Sequence, residues 1–406
     1  MTNNTFGISK QTVHDGDFFQ KNVFLRADLN VPLDGKNILD DTRIRESVPT
    51  ISFLLNAGAS VVLASHLGRP NGEPNDAFSL EPVARHLGKL LGMDVIFAED
   101  CIGPQADKLT STISNGEIVV LENLRFHKGE EENDLNFANA LVKNCDVVVN
   151  DAFGVAHRSH ASTVGVCNVL PAYAGLLLEK EIRYLQGLVD DPPHPFAAIV
   201  GGAKVSSKIA AIKQLLPKVD SLFLGGGMAN TFLKAQGVDV AESLVEDSCV
   251  EIASDILDRA AEQNVPVYLP IDAVVAADLN SGNDVQVISV GTESIVPAGK
   301  MILDTGPASI EMYIEKLSAA AAIIWNGPLG VFEVDPFGRG SFAIAEALAG
   351  FDAITIVGGG ETAAIIARTG HTEVFTHVST GGGASLQMLE GEVLPAISAL
   401  QDLSAR

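Results

Sequence analysis

The chain has 406 residues, too many for one ordinary core, so two domains are expected. Hydrophobic residues make up 47% and charged residues 19%, which excludes a disordered chain and requires most strands and helices to be buried. The formal net charge of -24 excludes a broad basic face for nucleic acid or an acidic membrane, but it allows a local cationic cluster that binds a small anion at short range.

The opening stretch MTNNTFGISKQTVHDGDFFQK lacks an apolar core, so no secretory signal is expected. No run approaches ~18 uninterrupted apolar residues, so no membrane span is expected. From residue 22 onward, short apolar runs recur, each followed by a polar or glycine-rich turn and then a helical pattern. NVFLRADLN, ASVVLASHLGRP, EIVVLENLRF and CDVVVNDAFG come first. FAAIVGGAK, SLFLGGGMA, PVYLPIDAV, AAIIWNGPLG, DAITIVGGGET and EVFTHVSTGGGAS follow. This alternation predicts βαβ units with parallel strands, and the absence of a fixed period excludes a solenoid. Between the two series, LLLEKEIRYLQGLVDDPPHP reads as a helix ended by Pro192, Pro193 and Pro195, which puts the domain boundary near residues 183–190. The predicted class is α/β: two doubly wound, Rossmann-like parallel-sheet domains joined by a helical hinge. Cys101, Cys145, Cys167 and Cys249 form no C-x-x-C pair and read as buried free thiols in a reducing cytoplasm.

Ligands of open α/β sheets bind beyond the carboxyl ends of the strands, so the turns there carry the functional signal. In the first half these turns hold Asp28 and Asn30, then His66 and Arg69, then Arg125, then His157, Arg158 and His160; Arg43 lies at the start of a predicted helix. One such Arg is ordinarily a surface ion pair, and Asp28 and Asn30 read equally well as turn residues. Arg at four separate positions along one edge instead predicts a site for a small ligand with more than one anionic group, because a guanidinium fork grips two oxygens at once. His66 and His157 lack the helix-spaced partner of a metal site. GEEEND at 129–134 reads as a solvated acidic helix start.

The second half carries glycine instead. GGAKVSSKI falls short of the P-loop G-x-x-x-x-G-K-[ST], yet Gly225–Gly227, Gly358–Gly360 and Gly381–Gly383 each precede a helical pattern. Glycines there let backbone N–H groups and a helix N-terminus approach phosphate, so one polyphosphate spread over several strand ends is expected. Lys204 and Lys208, four apart, are expected to share one face of a helix start, where a bound anion would offset their conflict with the helix dipole. Glu333 is a candidate ribose ligand and Glu361 a candidate magnesium ligand. GGGETA also fits the loose dinucleotide fingerprint G-x-G-x-x-A, but the next strand end offers glycine where that motif expects an acid, so a dehydrogenase fits less well.

Taken together, RADLNVPL, SHLGRP, ENLRFH, NDAFGVAHRSHAS, GGAKVSSKI, FLGGGMANTFL, WNGPLGVFE, GGGETAA and STGGGASL resemble phosphoglycerate kinase, over nearly the whole length. The resemblance implies a 3-phosphoglycerate domain at 1–182 with a C-terminal return at 393–406, and a domain for Mg-ATP or Mg-ADP at 183–392. It assigns Asp28, Asn30, Arg43, His66, Leu67, Gly68, Arg69, Arg125 and Arg158 to 3-phosphoglycerate, with His157 nearby. It assigns Lys208 to the nucleotide phosphates, Glu333 to the ribose, and Gly359, Gly360, Glu361 and Thr362 to the phosphates and Mg²⁺. Arg43, Lys204 and the Gly381–Gly383 loop, centred on Gly382, would face the transferring group. Three positions depart from the family's usual residues: Glu361 stands for Asp, Leu329 for Met and Gln387 for Glu. A cytoplasmic monomer that closes over its two substrates is the expectation. A kinase for another carboxylate or sugar phosphate, or a binding protein that kept the fold, are the alternatives; acceptance of 3-phosphoglycerate separates them.

Overall fold

The apolar runs become buried parallel strands in a computed structural model that describes residues 6–279, 284–292 and 296–403. The chain divides into two units: one runs to Arg183 and resumes at Val393, and the other is Tyr184–Glu392. The division falls inside a helical segment made of Leu176–Glu181, a wider π turn at Ile182–Gln186, and Gly187–Asp190.

In the first unit the strands are β1 (Asn22–Arg26), the small hairpin β2 (Leu33–Asp34) and β3 (Asn37–Ile38), β4 (Ser60–Ala64), β5 (Ile96–Ala98), β6 (Ile118–Leu121), β7 (Val147–Asn150) and β8 (Ala172–Ala174). Outside the hairpin they form a six-stranded sheet, β5-β6-β4-β1-β7-β8, with every pairing parallel. Helices on both faces explain why Val23, Phe24 and Leu25 are all fully buried, since a central strand covered twice has no polar side. β4 lies on one flank of β1 and β7 on the other, so the winding direction reverses at β1 and opens a crevice at its carboxyl end. The edge strands β5 and β8 have three residues each, too few for periodicity to announce them. The returning segment docks here: Gln11 N–H donates to Gln401 O at 2.8 Å and Ala396 N–H to Ala156 O at 3.1 Å. Residues 404–406 of the expected return lie outside the described residues.

The second unit contains β9 (Phe196–Val200), β10 (Ser221–Leu224), β11 (Val267–Tyr268), β12 (Asp272–Ala276), β13 (Gln286–Ser289), β14 (Met301–Thr305), β15 (Ala322–Asn326), β16 (Ile354–Gly358) and β17 (His377–Val378). Its main sheet runs β11-β10-β9-β15-β16-β17, all parallel, the doubly wound dinucleotide-fold order with the switch point between β9 and β15. The run PVYLPIDAV is not one strand. Pro270 cannot donate to a ladder and separates β11 from β12, which opens a three-stranded antiparallel sheet, β13-β12-β14.

Candidate functional site

In the first unit the chain leaves β1 through Asp28–Asn30, and a relay of hydrogen bonds ties that turn to its neighbours. Arg43, in the first turn of the helix Thr42–Asn56, donates from NH1 to Asp28 Oδ2 at 2.9 Å and to Asn30 O at 3.3 Å. Asn30 Oδ1 accepts from Gly68 N–H at 2.9 Å, and Gly68 O accepts from Arg125 NH1 at 2.8 Å. The turns after β1, β4 and β6 are thereby joined to one another. Arg158, after β7, is half-buried with Nε 3.4 Å from His157 Nε2. Arg69 is exposed and forms no ion pair among the described residues.

The electrostatics follow from this crowding. Burial pushes the Arg125 guanidinium down to about 10; Glu131, with Oε1 3.3 Å from Nε, works against the shift, and Arg158 and Arg26 reinforce it. Burial first, then Arg26, Arg125, Arg43 and His160, push the His66 imidazole well below its usual value, so it is neutral. The His157 ring is lowered too, by burial and then Arg158 and His160.

Two readings of the sequence need correction in this unit. GEEEND is not uniformly a solvated helix start: Glu131 and Glu132 are exposed, but Glu130 has no solvent exposure and accepts from Ser162 Oγ at 2.6 Å and Ser162 N–H at 3.0 Å. Arg26 reads as part of an apolar run, yet it is a fully buried cation beneath the site. A charge inside a strand demands a partner, and that was the available signal. Asn123 was also missed: its Nδ2 donates to Leu67 O and Phe78 O, and its Oδ1 accepts from Arg125 N–H, which fixes the Arg125 turn.

In the second unit the glycines separate into two kinds. A Cβ on Gly327, whose φ is +96°, would lie 2.1 Å from Gly201 O, and one on Gly201 would lie 2.2 Å from Pro328 O. These residues, with Gly202 and Gly226, let the turns after β9, β10 and β15 pack backbone against backbone at the switch point; Gly201 N–H donates to Asn326 O and Gly202 N–H to Pro328 O. A Cβ on Gly360 or Gly382 would instead meet nothing within 4 Å. Both stand in the first turns of helices, Gly360–Thr369 and Gly382–Leu389, whose N-terminal N–H groups suit an anion. Gly359 caps the first of these with φ 91°. Thr362 is buried, and its Oγ1 accepts from Gly327 N–H at 2.7 Å, linking that helix to the β15 turn.

Lys204 and Lys208 do not share a helix face. The helix begins at Ile209, Lys208 occupies its cap position and Lys204 is exposed in the preceding turn, so their spacing of four lacks helical geometry. Lys208 Nζ donates to Asn326 Oδ1. Burial lowers its pKa, opposed by the carboxylates of Glu361 and Glu390. Glu333 and Glu361 are both exposed.

A cationic edge on one doubly wound unit, and lysines with open helix N-termini on another, define a two-domain α/β protein equipped for phosphorylated ligands. The phosphoglycerate kinase family model matches residues 13–392. Phosphoglycerate kinase of Pelotomaculum thermopropionicum is 49% identical over 395 residues, 97% of this chain and 100% of that protein. A cytosolic phosphoglycerate kinase of Triticum aestivum is 49% identical over 96% of this chain and 98% of its own. The solved phosphoglycerate kinase of Coxiella burnetii superposes with a TM-score of 0.88 at 40% identity, covering 96% of this chain and 98% of that one. That of Pyrococcus horikoshii gives a TM-score of 0.82 at 34% identity, with the same coverage. The chain belongs to the phosphoglycerate kinase family.

Proposed function

We propose that the chain carries out its family's glycolytic reaction, the reversible transfer of a phosphoryl group between 1,3-bisphosphoglycerate and ADP to give 3-phosphoglycerate and ATP. The observation that carries the reading is the relay from Asp28 through Arg43, Asn30 and Gly68 to Arg125, which holds two guanidinium groups, Arg43 and Arg125, at one sheet edge. In this reading Arg43, His66, Arg69, Arg125 and Arg158 bind the phosphate and carboxylate of 3-phosphoglycerate, while Asp28, Asn30, Leu67 and Gly68 shape the turns that aim them. Lys208, Gly359, Gly360, Glu361 and Thr362 take the nucleotide phosphates and Glu333 the ribose. Arg43, Lys204 and the helix N-terminus at Gly382 take the transferring group.

The acceptor in the reverse direction is a carboxylate, already an anion, so no general base is required. The barrier is charge crowding and alignment, which positioned cations and N–H groups lower. The exposed Glu361 carboxylate beside an open helix N-terminus fits magnesium, which takes one or two carboxylates and completes its shell with phosphate and water. When bound, the ion neutralises charge on the phosphate oxygens.

With the ligands assigned to separate units, transfer requires domain closure, and X-ray scattering should report a more compact particle with both substrates than with either. Among the described residues no helix is long and apolar enough to cross a membrane. A cytoplasmic location is supported by the cysteines, all free.

The direct test is transfer from Mg-ATP to 3-phosphoglycerate with hydroxylamine trapping the acyl phosphate. Signal that requires both 3-phosphoglycerate and Mg²⁺ supports the proposal. Signal with another acceptor, or ATP binding without turnover, refutes it.

A further inference from the structure

Beneath the cationic edge lies a layer of buried charge that the reaction above does not use. Arg26, the last residue of β1, is fully buried. Its Nε donates to Ser162 Oγ at 2.8 Å, its NH1 donates to Ala27 O, and its NH2 lies 3.2 Å from His66 Nδ1. Ser162 passes the direction on, since its single hydroxyl proton goes to the buried Glu130 carboxylate at 2.6 Å. The relay therefore has one sense: Arg26 donates, Ser162 accepts and donates, Glu130 accepts.

A guanidinium has no acceptor. His66 Nδ1 must accept from Arg26, and the proton of the neutral ring must sit on Nε2. We propose that Arg26, locked by Ser162 and Glu130, is a positioning residue that holds His66 as the neutral Nε2–H tautomer, so that His66 meets an anionic substrate as a directional hydrogen-bond donor and not as a further cation. The charged and titratable groups facing His66 are Arg26 from β1, Asp28 from the turn after it, Arg43 from the following helix, Arg125 after β6 and His160 after β7. Asp28 Oδ1 is 3.9 Å from Nδ1, too far to hold a proton there. The three guanidinium groups and the burial act together against an imidazolium. A donor without charge adds no repulsion to that cluster and does not titrate near neutrality. The role at the substrate rests on the proposed function, but the tautomer does not.

The test uses the full chain labelled with ¹⁵N-histidine, without ligand, in two-bond ¹H–¹⁵N spectra between about pH 5.5 and about pH 8.5, the span of ordinary histidine titration. His66 is assigned by the peak lost in His66→Gln. A neutral Nε2–H pattern throughout is expected. An Nδ1–H pattern, or protonation at the ordinary histidine midpoint, overturns the proposal. Ser162→Ala cuts the relay with little change of volume. It should give a mixed tautomer signal and raise KM for 3-phosphoglycerate about 10-fold with kcat within about 2-fold, the scale of one charge-assisted hydrogen bond. Ser162→Thr keeps the hydroxyl and should retain the wild-type pattern. A folded Ser162→Ala protein with unaltered spectrum and KM shows that the relay is not what holds the ring. Failure of the hydroxylamine assay would sink the proposed reaction and leave the spectral result standing.

Discussion

Lys204 is exposed and forms no ion pair among the described residues, whereas Arg43 spends NH1 on Asp28 and Asn30. A cation kept in the open by a turn, and a fork partly committed to aiming, suit charge that develops only during transfer. Lys204→Ala and Arg43→Ala should therefore lower kcat by about 100-fold or more while KM changes far less, as steady-state kinetics in both substrates will show. A change confined to KM would remove either residue from the transferring group. Arg69, Arg125 and Arg158 were legible because each follows a strand, and Arg43 because it opens a helix. Arg26 offered only its charge inside an apolar run and Glu130 offered no signal, because Ser162, which links them, is distant in sequence from both.

At the scale of elements, the glycine-rich turns divide by what surrounds them, and the division predicts two different losses. Gly327→Ala puts a Cβ into Gly201 O at positive φ and should destabilise the protein by roughly 3 kcal/mol in denaturant unfolding. Gly360→Ala meets open space within a helix, so stability should change by less than about 1 kcal/mol while nucleotide affinity falls, read by calorimetry. Equal stability losses would mean that both glycines serve packing. The β14 strand supplies a pH dependence. Asp304 accepts from Thr305 N–H at 2.9 Å and from Gly340 N–H, in the first turn of the helix Arg339–Leu348, at 2.8 Å, yet burial pushes its carboxyl up to about 8. Between about pH 4 and about pH 8 the folded state keeps a proton that the unfolded chain has lost, so its contribution to stability is full at the acid end and disappears as pH rises. Asp304→Asn should flatten that part of the Tm-against-pH curve; an unchanged slope would show that Asp304 is ionised at neutral pH.

For the whole molecule, each unit has its own buried cluster, one around β1, β4 and β6 and another around β9, β15 and β16. The first unit is completed by the end of the chain, through the Lys10–Asp402 bridge and the Gln11–Gln401 hydrogen bond. Deleting the chain from Val393 onward should lower the unfolding transition of the first unit selectively and leave ATP binding heat intact. A parallel loss of ATP binding would show that the two units do not fold as separate cooperative bodies.

Local order was decided by the sequence alone. Most apolar runs of four or five residues with polar or glycine turns form parallel strands, the run split at Pro270 being the exception, and the chemistry of those turns separates a cationic half from a glycine-rich one. The sequence did not decide which glycines face a ligand and which face another backbone, that the two lysines of GGAKVSSK stand outside the helix, or that a glutamate in an acidic run is buried. Those outcomes depend on contacts between residues far apart in the chain, and local periodicity carries no information about what lies across a turn.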